Sequence, residues 1–278
     1  MDPGPLRDVL VVVLGFATGV LSGLFGVGGG VISQPGMRLL GIEPLIAIGT
    51  ALPVIIPGAG SGAARYARER LVDWRGAGAT IPGGLCAAFA GGLLAESVPG
   101  EGHLLQVITA VLLGFSAYRM WNAPARPAVP DAEADAAVPA DDDDNIDNAN
   151  TGPPASTGTF VVIGLAAGLL SGLLGIGGGV LMVPAFTHFA HLSLKRAIAT
   201  SLVCVGAFAV PGTIAHAMAG HVDWRVAAAL IVGVIPGARV GAHLAIAAAD
   251  RRLRHLVSGF LALTAVIYGG AELAILLT

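Results

Sequence analysis

Two short stretches carry the clearest chemistry in this chain: LSGLFGVGGG at residues 21–30 and LSGLLGIGGG at residues 170–179. Three consecutive glycines leave a length of backbone with no side chain over it, and each costs a helix roughly 1 kcal/mol relative to alanine. Gly28, Gly29 and Gly30, and their mates Gly177, Gly178 and Gly179, are therefore expected to break the helix that carries them. A half-helix restarting near Val31 or Val180 would present its first N–H groups unpaired and partially positive. Backbone alone then binds an anion. Ser22 and Ser171, six residues ahead of each triple glycine, can add hydroxyl donors, as can Thr50, Thr200 and Ser201 further along. For any one of these hydroxyls, a bond back to its own helix is an equal alternative.

Motifs for enzyme chemistry are absent from the sequence. There is no HExxH, and GVGGG lacks both the Lys-Ser/Thr of a phosphate loop and the GxGxxG spacing. Cys86 and Cys204 stand alone in apolar segments, without metal or redox spacing. No catalytic residue, cofactor, metal or nucleic-acid partner is expected.

The elements that must hold the glycines are membrane helices. Of 278 residues, 55% are hydrophobic and 12% charged, where soluble domains are about a quarter charged. No Asp, Glu, Lys or Arg interrupts residues 9–37, 44–64, 76–95, 102–118, 197–222 or 255–271. These windows run close to the roughly 17–25 residues that a spanning helix needs. The expected fold class is all-α, a polytopic membrane protein in contact with lipid.

The chain also matches itself. GFATGVLSGLFGVGGGVISQP (15–35) lies over GLAAGLLSGLLGIGGGVLMVP (164–184) without a gap, AIGTAL (47–52) meets AIATSL (197–202), and VDWR occurs at both 72–75 and 222–225. This divides the chain into a transmembrane repeat at 1–121, a linker at 122–157 and a second repeat at 158–278. Each repeat is read as one glycine-broken, hairpin-like segment followed by three ordinary spans, near 44–64, 76–96 and 102–121 and near 197–219, 225–248 and 254–277. The linker is rich in Pro, Ala and Asp and has too few large apolar residues to bury a core, so it reads as a disordered acidic tether. Residues 131–147 hold eight of the eighteen acids and no Lys or Arg, and the remainder of the chain is net +5.

Loop charges give the orientation. RYARERLVDWR is basic and ESVPGEGH acidic in the first repeat, whereas in the second HAMAGHVDWR is near neutral and DRRLRH basic. Equivalent loops facing opposite sides is the signature of inverted repeats. The linker is then cytoplasmic and both termini lie outside.

Arg239 is the one full charge inside an expected span, and it can attract an anion or snorkel. His216 and His243 lie in or near spans, where they can relay protons or serve as bonded core residues.

The paired L-S-G-L-[FL]-G-[VI]-G-G-G-V…P blocks, the A-I-[GA]-T-[AS]-L that follows and the V-D-W-R loops resemble the sulfite exporter TauE/SafE family, also described as TSUP-type probable membrane transporters. The likeness covers residues 9–121 and 158–277. It implies a multi-pass carrier of the plasma membrane that moves small sulfur-containing anions such as sulfite or organosulfonates, with proton or ion coupling open. Carried over by position, the glycine blocks fall on Gly26, Gly28, Gly29 and Gly30 and on Gly175, Gly177, Gly178 and Gly179. The Thr-bearing segment falls on Thr50 and on Thr200 with Ser201. Gln34 stands where the second copy has Val183, which makes the two half-sites unequal. The expected function is a secondary transporter, an exporter of small anions, with a midplane site at the glycine-run ends. The alternatives are an anion channel of the same fold, or a membrane sensor that docks a partner through the acidic linker.

Overall fold

The computed structural model describes residues 5–97, 103–121 and 156–276. Most of the acidic linker, residues 122–155, lies outside them. The described residues form ten α-helices and no strand: α1 (Pro5–Phe25), α2 (Gly30–Leu39), α3 (Pro44–Arg68), α4 (Trp74–Leu94), α5 (His103–Trp121), α6 (Thr157–Leu174), α7 (Gly179–His188), α8 (Leu194–Met218), α9 (Trp224–Ala247) and α10 (Asp250–Leu276). Six of them, α3, α4, α6, α8, α9 and α10, are long and apolar enough to cross a membrane. This is a multi-pass α-helical membrane protein. Val13, Val111, Val162, Val232 and Val266 are all more than half exposed on its outer surface, as side chains facing lipid should be. Tyr66, Phe186, Phe208, Ile48 and Leu52 fill its interior.

Local chemistry sets the helix starts. Pro44 opens α3 at a position whose N–H would be unpaired in any case. In both VDWR stretches the aspartate is an N-cap. Asp73 Oδ1 accepts from the N–H of Gly76 at 3.0 Å, and Asp223 Oδ1 accepts from those of Arg225 and Val226 at 3.0 and 3.1 Å. The tryptophan after each aspartate, Trp74 or Trp224, is well exposed at the first helical position, where an amphipathic ring suits the membrane–water interface.

The ten-residue helices α2 and α7 are each about 15 Å long, half of a hydrocarbon core about 30 Å thick. Both double back on the helix before them. Gly29 lies against Thr18 and Gly36 against Leu14, so α2 descends along α1. Gly178 lies against Ala167, while Phe186 meets Phe160 with ring centroids 5.8 Å apart, so α7 descends along α6.

The two halves of the chain interlock. The main partner of α1 is α9, and that of α6 is α4. A Cβ added to Gly15, Gly19 or Gly23 would sit 2.2–2.4 Å from the carbonyl oxygens of Leu230, Val234 and Ala238. On α6, a Cβ at Gly164, Gly168 or Gly172 would sit 1.9–2.2 Å from those of Thr80, Gly84 and Ala88. Each glycine ridge thus lets two backbones touch, and residue numbers rise in the same direction along both partners. The central helices α3 and α8 instead run in opposite directions: Leu52 meets Gly212, Ala59 meets Gly206 and Gly62 meets Leu202.

Candidate functional site

The two hairpins meet tip to tip at the glycine runs. Gly28 and Gly177 adopt φ values of +81° and +85°, which glycine takes without a steric penalty. A Cβ on Gly28 would lie 2.8 Å from the Ile176 carbonyl oxygen and 3.4 Å from Gly177 Cα. One on Gly30 would lie 2.1 Å from the Gly175 carbonyl oxygen, and one on Gly179 would lie 2.3 Å from that of Gly26. Backbone touches backbone across the junction, and residues 25–31 and 174–180 are all buried.

Helix formation leaves donors over at this junction. The N–H groups of Ile32 and Ser33 bond to the Gly29 carbonyl at 3.2 and 3.1 Å, and those of Leu181 and Met182 bond to the Gly178 carbonyl, both at 3.1 Å. The N–H groups of Gly28, Gly29, Gly30 and Val31 make no hydrogen bond among the described residues, and neither do those of Gly177, Gly178, Gly179 and Val180. Buried backbone donors are almost always paired, so two such sets on adjoining glycine runs stand out. At a helix start they carry partial positive charge and suit an anionic partner.

Comparison with known proteins agrees with the sequence blocks that form these tips. The family model described as sulfite exporter TauE/SafE matches residues 11–268. The chain belongs to the sulfite exporter TauE/SafE family. It is 31% identical over 258 residues to the probable membrane transporter protein YunE of Bacillus subtilis, covering 85% of this chain and 88% of that one. A probable membrane transporter protein of Xylella fastidiosa is 29% identical over 259 residues, covering 92% of this chain and 90% of the relative. The probable membrane transporter protein MamO of Magnetospirillum gryphiswaldense is also 29% identical, over 86% of this chain but only 40% of its own length. No solved structure matches the chain.

In this TauE/SafE protein the polar residues expected at the site have distinct positions. Ser201 Oγ donates to the Gly26 carbonyl at 2.8 Å and steadies the first tip. Gln34 Nε2 donates to the Leu174 carbonyl at 2.8 Å, while its Oε1 accepts from the Tyr268 hydroxyl at 3.1 Å. Gln34 is thus a strut from α2 to the opposite tip and to α10. Thr50 and Thr200 bond to loops: the backbone N–H of Asp223 donates to Thr50 Oγ1 at 2.9 Å, and that of Asp73 donates to Thr200 Oγ1 at 3.0 Å. Ser22 and Ser171 are buried on the helices leading to the tips, and Ser171 Oγ has no hydrogen-bond partner among the described residues. Arg239 and His243 are exposed on α9, so their side chains are not gathered into the junction. His216 is buried, and its Nε2 lies 2.9 Å from the Gly172 carbonyl, which accepts from it.

Three residues at the tips are additional to the sequence expectations. Tyr66 donates its hydroxyl to the Gly23 carbonyl at 2.8 Å, the counterpart of the His216 bond to Gly172. Tyr268 reaches Gln34 as described. Thr18, fully buried against Gly29, has an unpartnered Oγ1 among the described residues. Its sequence signal is faint: Thr18 and Ser22 are four apart and share a helix face, whereas the second half has Ala167 and Ser171.

Proposed function

We propose that this protein is a secondary transporter that exports small oxyanions, sulfite or organosulfonates, and binds them where the glycine tips cross. The observation that carries this reading is the pair of buried, unpaired N–H sets at the starts of α2 and α7. An oxyanion offers the acceptors those donors lack, and a buried site strengthens each charge-assisted bond. The substrate class follows the family's description. Alternating access is read as rocking of two inverted repeats, bounded at 1–121 and 158–278, about the fixed junction. The opposite directions of α3 and α8, and the exchange of partners between α1–α9 and α6–α4, support that arrangement.

The test is counterflow of radiolabelled sulfite in proteoliposomes of purified protein, wild type beside Gly29→Ala. Gly29 has φ −73°, so alanine fits the backbone there while its Cβ crowds the start of α2. Saturable, trans-stimulated uptake by wild type, cut roughly tenfold or more in the variant, is the expected result. Linear uptake without counterflow would indicate a channel. Equal uptake by both proteins would remove the glycine amides from the site.

A further inference from the structure

Several helical hydroxyls in this chain bond back to their own helix, and Thr18 is one that does not. Thr80 bonds back to the Gly76 carbonyl at 2.7 Å, Thr213 to that of Ala209 at 2.6 Å and Thr264 to that of Phe260 at 2.8 Å. Ser33 does the same to Gly29 at 3.1 Å. This i−4 bond is the ordinary fate of a hydroxyl inside a helix. Thr18, in mid-α1 and 0% exposed, makes neither that bond nor any other among the described residues. An unpaired buried hydroxyl is destabilising, and one in a native structure calls for an explanation.

Its position supplies the explanation. Thr18 Cγ2 lies 2.9 Å from where a Cβ of Gly29 would be, so the side chain rests directly on the N-cap of the ten-residue α2. The N–H groups of Gly29, Gly30 and Val31 begin at that point. The corresponding neighbour of Gly178 is Ala167, which offers only its methyl and backbone. At the start of α2 the first tip therefore carries a hydroxyl that the second lacks.

We infer that Thr18 is a substrate-binding residue that sets specificity, its hydroxyl donating to an oxyanion held by the amides at the start of α2. This rests on the anion-site reading above and narrows it. The amides meet one side of the anion, and the hydroxyl on α1 meets another. A pyramidal or tetrahedral head with three oxygens, sulfite or a sulfonate, uses both sets of donors, while a planar carboxylate leaves one unused. The first tip is then the more selective, and the second, lined by Ala167, the more permissive.

The experiment uses the full chain in detergent, with Thr18→Val removing the hydroxyl at constant shape and Thr18→Ser retaining it. Two quantities are read: the melting temperature without ligand, and the dissociation constants for sulfite, methanesulfonate and acetate by calorimetry. Thr18→Val is expected to melt at or above wild type, because it removes an unpaired buried group. It should bind sulfite and methanesulfonate about tenfold more weakly with acetate unchanged, and Thr18→Ser should stay near wild type. A Thr18→Val protein that melts below wild type would mean the hydroxyl has a structural partner, which overturns the inference whatever the ligand. Equal sulfite affinity in wild type and Thr18→Val overturns it too, while leaving the amide site standing. Failure of wild type to bind any of the three anions overturns the anion site and this inference together.

Discussion

Asp73 and Thr200 are joined by a 3.0 Å hydrogen bond from the aspartate backbone N–H to the threonine Oγ1, and Asp223 and Thr50 make the same bond at 2.9 Å. Each aspartate also caps the helix that follows it. One residue thus starts a helix with its side chain and ties its loop to the other half of the chain with its backbone.

Replacing either threonine by valine keeps the shape and strands a loop N–H. Thr50→Val and Thr200→Val should each lower stability by about 1–2 kcal/mol. The two joints share no residue, so the double variant should be near the sum. Denaturant unfolding in detergent micelles measures both. A double variant no worse than one single would show that the joints are coupled.

The tips should respond unequally to the same change. Gly178 has φ +70°, and its Cβ would meet the Ala167 carbonyl oxygen at 2.4 Å, whereas Gly29 has φ −73° and its Cβ would meet side chains alone, the Thr18 methyl at 2.9 Å and Ile55 at 3.9 Å. Gly178→Ala combines left-handed strain with a backbone clash and should cost at least about 2–3 kcal/mol. Gly29→Ala should cost roughly 1 kcal/mol or less, since a side chain can give way. Thermal melting ranks them, and the reverse order would refute the asymmetry.

Glycines of the packing ridges should be intolerant, and lipid-facing ones should not. A Cβ at Gly172 would lie 1.9 Å from the Ala88 carbonyl oxygen, and one at Gly241 would lie 1.9 Å from that of Val20. Alanine at either is expected to lower stability by more than about 3 kcal/mol, read as loss of the monodisperse peak on size exclusion. Gly60 and Gly78 have no atom within 4 Å of an added Cβ. Alanine there should stabilise by about 0.5–1 kcal/mol through helix propensity.

Arg239 is exposed on α9 and has no hydrogen bond or ion pair among the described residues. Arg239→Gln should therefore change the sulfite KM in counterflow by no more than about twofold. A tenfold rise would bring the guanidinium into the transport path.

Much of this architecture was legible in the residues because hydrocarbon leaves few choices. Charge-free windows of the right length became α3, α4 and α8, and the expected span at 225–248 became α9 despite Arg239, with ends shifted by a few residues, because Pro44, Asp73 and Asp223 are strong start signals. The triple glycines foretold the breaks after α1 and α6. The ridge of Gly15, Gly19 and Gly23 announced close packing but not its partner, since periodicity reports a face and α9 lies some two hundred residues away. Thr50 and Thr200 read as site donors; the bonds their hydroxyl oxygens accept come from loops that only the tertiary fold brings near. Thr18 escaped notice because the residue matching it in the other half is Ala167, and similarity between halves points to what they share.

The pairing of α1 with α9 bears on how the chain is made. The first glycine ridge is made well before the carbonyls that seat on it, which belong to Leu230, Val234 and Ala238. Until those residues are inserted, α1 waits with its narrowest face toward lipid or toward whatever insertion factor shields it. The ridge of α6, by contrast, meets an α4 that is already in place. Chain order thus lets the second hairpin dock before the first is locked. A ribosome stalled just short of α9 would leave a first hairpin with nothing to close against.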